Sequence, residues 1–264
     1  MNGLSADQFT RLVELVNNNM ATDDDINALE PYRVKRAIFI AAGFGSRMVP
    51  ITLTMPKPLV KVNGVRIIDT LIDACLQAGI EEIIIVRGYL KDQFNQLLDK
   101  YPMITFIDND MYTEANNISS AYLARHLLQN AYVFEADLLL DNPSIIRKYH
   151  YSSDFLAIPV DSTDDWCFET RDGIITKECV GGTNCHQMVG ISYWDEAAGR
   201  RLEVDLEEHF SKEEGKQSYW EQVPLVYYSN NYQVSVLECA KEDIVEIDTF
   251  DELVAIDDSY RDMR

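Results

Sequence analysis

A doubly wound α/β sheet, mixed but mostly parallel, is predicted by three features of this 264-residue chain. From residue 36 onward, short apolar runs alternate with stretches of helical apolar spacing, which is the βαβ pattern of a parallel sheet. The segment Glu82-Ile83-Ile84-Ile85-Val86 is apolar and β-branched after its first residue, as in strands buried on both faces. The first apolar run, over 37–42, leads straight into Gly43-Phe44-Gly45. A loop at the carboxyl end of a first strand is where open α/β sheets receive ligands.

Each element has its own signal. Residues 1–33 stand apart as a short helical N-terminal appendage to a domain over 34–264. Phe9, Leu12, Val13, Leu15 and Val16 have helical spacing behind Ser5 or Asp7 as N-cap. Thr22-Asp23-Asp24-Asp25 is a second cap signal, and Pro31 ends the segment. Strands are predicted over 37–42, 82–86, 103–107 and 131–134, and helices over 67–78, 90–98 and 117–128. Gly79 stops the first of these helices, and Asn116 or Asn117 caps the last. Beyond Asp141 the alternation loosens. Short strands over 155–160, 173–176 and 189–193 mix with helices over 197–209 and 219–225, then a strand over 244–247 and a closing helix over 250–256. This second half is read as a small acceptor-binding subregion of the same domain.

Composition narrows the function. Hydrophobic residues make up 47% and charged residues 25%, as in ordinary globular proteins. No apolar run reaches the roughly 18 residues that span a bilayer, so no membrane insertion is expected. The first residues, Met1-Asn2-Gly3-Leu4-Ser5, carry neither a basic nor an apolar leader, and a cytoplasmic location is expected. Five cysteines without Cys-x-x-Cys spacing read as reduced thiols. The four histidines show no triad-like setting and read as structural. A formal net charge of −21 argues against nucleic acid as a partner. An anionic ligand must be held by a local device against that field. Oligomeric state is left open, a homo-oligomer included.

The loop after the first strand supplies such a device. Gly45-Ser46-Arg47 has no Gly-Lys-Ser/Thr, which excludes a Walker loop. Gly43 and Gly45 begin a dinucleotide fingerprint, but its third glycine is replaced by Met48, and Pro50 breaks the helix that would follow. What remains is Ala41-Ala42-Gly43-Phe44-Gly45-Ser46-Arg47-Met48, then Pro50, Thr52 and Pro56-Lys57-Pro58. Small residues let main-chain amides approach a phosphate chain, and Arg47 and Lys57 add fixed positive charge.

This composite resembles the signature loop of nucleotidyltransferases, which move a nucleoside monophosphate onto a phosphorylated small molecule. The resemblance implies Ala41, Ala42, Gly43, Gly45 and Ser46 at the nucleotide, with Arg47 and Lys57 catalytic. It implies Mg²⁺ on two carboxylates, carried over to Asp137 in Glu135-Ala136-Asp137 and to Asp248 in Glu246-Ile247-Asp248. Read from the residues alone, each acid is equally an N-cap. Longer relatives carry an N-terminal winged-helix module, for which residues 1–33 are too short.

The acceptor is argued from Asp164-Asp165-Trp166, Tyr193-Trp194-Asp195 and Tyr219-Trp220-Glu221, which hold all three tryptophans. Aromatic rings beside carboxylates suit a cationic head group, and Trp166, Tyr193, Tyr219, Trp220 and Glu221 are the candidates. Gly88-Tyr89-Leu90-Lys91-Asp92-Gln93-Phe94, Asn116-Asn117-Ile118-Ser119-Ser120, Gly190-Ile191-Ser192-Tyr193-Trp194-Asp195 and Val245-Glu246-Ile247-Asp248 look like bacterial CTP:phosphocholine cytidylyltransferases, from about residue 35 to 260. The likeness implies CTP and phosphocholine as substrates, and puts Gly88, Asn117 and Ser120 at the nucleotide. Glu135 and Leu138 depart from the Asp and polar residue expected there. The competing readings are transfer to a sugar 1-phosphate or an aminoalkyl phosphonate, and a non-catalytic nucleotide-binding regulator.

Overall fold

Apolar side chains alternate between the two faces of the first strand, which therefore needs cover on both sides. In β1 (Arg36–Ala41), Ala37, Phe39 and Ala41 join one core cluster and Ile38 joins the other. The computed structural model describes residues 3–263; Met1 and Asn2, where the N-terminal reading begins, and Arg264 lie outside the described residues. Two short helices open the chain, α1 (Ala6–Asn17) and α2 (Asp23–Leu29), each with a capping box, from Ser5 and Thr22. Phe9 of α1 packs on Tyr32 and Tyr151, and Tyr151 donates a hydrogen bond to the Leu4 carbonyl.

After β1 come a hairpin, β2 (Lys61–Val62) and β3 (Val65–Arg66), then α3 (Ile67–Gln77) and β4 (Glu82–Arg87). Next are β5 (Thr105–Asp108), α4 (Ile118–Ala124), β6 (Ala131–Glu135) and β7 (Leu138–Leu140). Two long strands follow, β8 (Asp154–Arg171) and β9 (Ile174–Trp194), then α5 (Glu196–Phe210), β10 (Ser235–Glu238), β11 (Ile244–Glu246) and α6 (Phe250–Ile256). The central sheet has the order β10-β8-β9-β6-β1-β4-β5. β6, β1, β4 and β5 run parallel, and β9 joins β6 antiparallel. Leu71, Ile72 and Cys75 of α3 cover one face against Phe39, Ile83, Ile85 and Phe134. Ile118 and Ala121 of α4 and Leu202 and Leu206 of α5 cover the other against Ile38, Ile84, Val86 and Val133. The predicted fold class is the observed one. The chain leaves β1 toward β4 and β5 on one side and returns to β6 on the other, so the loops after β1 and β6 diverge around one crevice.

Three expectations are corrected. The predicted helix over 90–98 is a 3-10 helix, Lys91–Asp99, entered through Leu90 at φ +49°. The helix over 219–225 is replaced by a π-helical turn, Val223–Tyr227, with a proline in its first turn. The short strands over 155–160, 173–176 and 189–193 are pieces of β8 and β9, which pair over most of their length with several register shifts. Gly181 and Gly182 look like turn signals, yet lie inside β9 where bulges interrupt the ladder.

α5 seats against the sheet at a position where only glycine fits. A Cβ at Gly199 would lie 2.4 Å from the Leu128 carbonyl oxygen and 2.6 Å from Gln129 Cα, both main chain. Gly199→Ala should therefore lower the thermal midpoint by about 2–12 °C, the overpacking cost being roughly 1–3 kcal/mol. A melting curve followed by circular dichroism tests this; an unchanged midpoint would mean that α5 shifts freely.

Candidate active site

The crevice at the carboxyl ends of β1 and β6 is an open cleft of about 540 Å³. Ala41, Gly43, Gly45, Ser46 and Arg47 line one side of it. Gly45 sits at φ +66°, where a side chain is strained, and a Cβ there would come within 3.2 Å of both Lys57 Cβ and Thr52 Cγ2. The buried Thr52 hydroxyl donates to the Gly45 carbonyl at 2.9 Å and fastens the loop to the segment that carries Lys57. Ala42 and Gly88 do not line the cleft. A Cβ at Gly88 would lie 2.9 Å from the Ala42 carbonyl oxygen, and Tyr89 N–H donates to that oxygen at 3.0 Å. The pair braces the base of the loop from behind.

Lys57 is 7% exposed on a short turn held by Pro56 and Pro58. Its Nζ donates to Asp137 Oδ2 at 2.8 Å and to Asp248 Oδ1 at 3.0 Å. Burial disfavours the ammonium, but the charges and hydrogen bonds of Asp137 and Asp248 outweigh it, and the Lys57 pKa is raised. Arg47, with its side chain 66% exposed, reaches Asp248 Oδ1 at 2.7 Å. At that exposure the pair adds little stability.

The chain joins these two acids, 111 positions apart, by strand pairing. Asp137 lies between β6 and β7, and Asp248 follows β11. β11 runs antiparallel to β7 with Glu246 opposite Leu138, and Ile247 N–H donates to the Asp137 carbonyl at 3.2 Å. Neither acid is an N-cap. Asp137 precedes a strand, and α6 is capped by Thr249 in a capping box with Glu252.

Glu135, Asp137 and Glu246 each offer an oxygen within 4.8 Å of the other two, and Asp137 Oδ1 is buried without a hydrogen-bond partner. Burial, then the charges of Asp137, Glu221 and Glu246, hold the Glu135 carboxyl well above the usual carboxylate range. An all-oxygen acidic donor set with an unpartnered oxygen fits a hard divalent cation. Glu135 was expected only as a departure from the pattern, and its place in this cluster follows from its position two residues before Asp137 at the end of a strand.

The nucleotidyl transferase family profile matches residues 36–154, which include the glycine loop, Lys57 and Asp137. The 2-aminoethylphosphonate cytidylyltransferase of Lancefieldella rimae is 36% identical over 232 residues, covering 85% of this chain and 92% of that protein. The choline-phosphate cytidylyltransferase of Streptococcus pneumoniae is 32% identical over 187 residues, 70% of this chain and 81% of that one. This chain belongs to the nucleotidyl transferase family, among its cytidylyltransferases. The solved CTP:phosphocholine cytidylyltransferase of Streptococcus pneumoniae superposes on this transferase with a TM-score of 0.79, covering 86% of this chain and 99% of that one at 30% identity. A UDP-glucose pyrophosphorylase structure, with 14% identity and a TM-score of 0.66, shares the fold alone.

The transferase's cleft is also lined by Trp166 from β8 and Tyr219, their rings 5.6 Å apart and inclined at 68°. Asn117, Asp165, Met188, Gly190 and Glu221 line the same cleft. Asn117 Oδ1 accepts from Trp220 N–H at 2.9 Å, which ties the start of α4 to the Tyr219 segment instead of capping the helix. Besides Ala42 and Gly88, three further expected site residues lie outside the cleft. Tyr193 is fully buried, stacks on His150 and donates to Asn130 Oδ1. Trp220, 2% exposed, packs on Phe155 and Trp194 in the core. Ser120 is 1% exposed, and its Oγ accepts from Asn109 Nδ2 at 3.0 Å. Aromatic type drew in the first two, but face decides. On β9, Met188 and Gly190 line the cleft, so alternation turns Tyr193 to the opposite side. That parity was the available signal for Met188 and Gly190, which residue type alone missed.

Among the described residues no helix is long and apolar enough to cross a membrane.

Proposed function

We propose that this enzyme transfers CMP from CTP to a small acceptor with a phosphate or phosphonate at one end and a positively charged nitrogen at the other, releasing pyrophosphate. Phosphocholine and 2-aminoethylphosphonate are both members of this class. The observation that carries the reading is the mixed lining of one cleft. Gly43, Gly45, Arg47 and Lys57 share it with Trp166, Tyr219 and Glu221. Phosphate attracts the first set and a cation the second.

In this reading the loop amides and Arg47 hold the β- and γ-phosphates. A phosphoryl oxygen of the acceptor attacks the α-phosphorus, the new P–O bond forms, and the bond to pyrophosphate breaks in line. The acceptor is already largely dianionic near neutral pH, its second pKa being about 6 for a phosphomonoester, so no general base is needed. Lys57 holds Asp137 and Asp248 in place and faces the charge that builds at the α-phosphate. Mg²⁺ on Asp137 and Asp248 would neutralise phosphate charge there. Asn117, at the opening of α4, faces the base.

Pyrophosphate release with CTP and a panel of 2-aminoethylphosphonate, phosphocholine and glucose 1-phosphate tests the reading. Turnover is expected with the amine-bearing acceptors and is expected to stop on chelation of divalent ions. Turnover with glucose 1-phosphate in preference to both would overturn the acceptor class, and no release with any acceptor would favour a regulator.

A further inference from the structure

Glu178 does not line the cleft itself but stands close enough to the cleft-lining Glu221 for its charge to act on that carboxyl. It stands on β9 opposite Phe168 of β8. Directly paired residues project to the same face, and Phe168 packs into the core cluster that holds Trp220. Glu178 therefore points toward the segment carrying Glu221. Both Glu178 carboxylate oxygens are buried and have no hydrogen-bond partner. Glu221 lines the cleft at 3% exposure, and its Oε2 is likewise buried and unpartnered. Burial raises the Glu178 carboxyl to about 7. Burial, reinforced by the charge of Glu178, raises Glu221 to about 8, while a hydrogen bond from Asn117 works the other way.

We propose that Glu178 and Glu221 together make this enzyme select a primary ammonium acceptor over a trimethylated one. The proposal rests on the acceptor class argued above and deepens it. A primary ammonium offers three N–H donors; Glu221 Oε2 on the cleft wall lacks one, and so do the two Glu178 oxygens of the buried carboxyl beside it. A trimethylammonium satisfies charge and the faces of Trp166 and Tyr219, but donates nothing, so those oxygens stay desolvated and unpaired. A site built to hydrogen-bond a substrate N–H rejects analogues without it far more strongly than an apolar pocket rejects a change in size.

The experiment compares kcat and KM for 2-aminoethylphosphonate and phosphocholine in the full chain and in its Glu178→Gln and Glu178→Asp variants. The full chain should prefer the primary amine by about 100-fold or more in kcat/KM. Glu178→Gln should cut that preference by about 10-fold or more, through the KM for the amine, with the KM for CTP unchanged. Glu178→Asp should recover part of it. Should Glu178→Gln not fold, the ratio in Glu178→Asp decides. An unaltered ratio in the folded variant, or a preference for phosphocholine in the full chain, overturns the selection argument and leaves the acceptor class standing. Turnover with neither compound overturns both.

Discussion

Lys57→Ala is expected to lower kcat by about 10³-fold while changing the KM for CTP by less than about fivefold. Lys57 is buried against Asp137 and Asp248, and its pKa is raised, so it is a fixed positive charge throughout the neutral range. In the reading advanced here its ammonium answers charge that appears as the α-phosphorus is attacked. Such a contact is lost mainly from the transition state. The alanine variant also leaves two carboxylates facing one another without their shared donor. Breaking a buried ion pair on one side costs about 3–5 kcal/mol, so the thermal midpoint should fall as well. Lys57→Arg should recover little. The side chain passes Gly45, where a Cβ would already lie 3.2 Å from Lys57 Cβ, and a planar guanidinium does not replace a compact ammonium between two acids. Steady-state pyrophosphate release gives the answer. Unchanged turnover in a folded Lys57→Ala protein would leave Lys57 a purely structural role.

Asp137→Asn should be comparably damaging to turnover, by about 10³-fold, but with a different signature. The amide has the same shape, so the β7–β11 pairing that places Asp137 beside Asp248 has no steric reason to change. What is lost is a negative charge and one anionic oxygen, at the position whose Oδ1 is buried and unpartnered. The Mg²⁺ concentration for half-maximal rate should therefore rise, whereas the KM for the acceptor should stay nearly constant. Full activity at ordinary Mg²⁺ would exclude Asp137 from metal binding and shift attention to Glu135 and Glu246, which complete the acidic cluster.

The glycine-loop side of the candidate cleft was legible because it is local. Gly43, Gly45, Ser46, Arg47 and Lys57 follow one strand within some twenty residues, and a strand leading into a glycine turn has few destinations. Asp248 was legible only through family likeness. Nothing in the composition of a chain with 44 acids singles it out, and its place depends on β11 pairing with β7, a long-range contact. The aromatic side of the candidate cleft was read by residue type, and type misled where burial and strand face govern. Tyr193 and Trp220 are large aromatic residues near acids, yet both fill the core. Glu178 escaped notice because the glycines and polar residues around it imitate turns, while the structure runs one strand from Ile174 to Trp194. The nine-residue 3-10 helix after β4 was read as α-helical because its apolar spacing serves either geometry over so short a span.

β8 and β9 project as one long antiparallel ribbon, and from it come Trp166, Met188 and Gly190. The glycine loop and Lys57 arise from the other half of the sheet. Substitutions along this ribbon can thus reshape one wall of the cleft while the glycine loop and Lys57, rooted in other strands, keep their geometry.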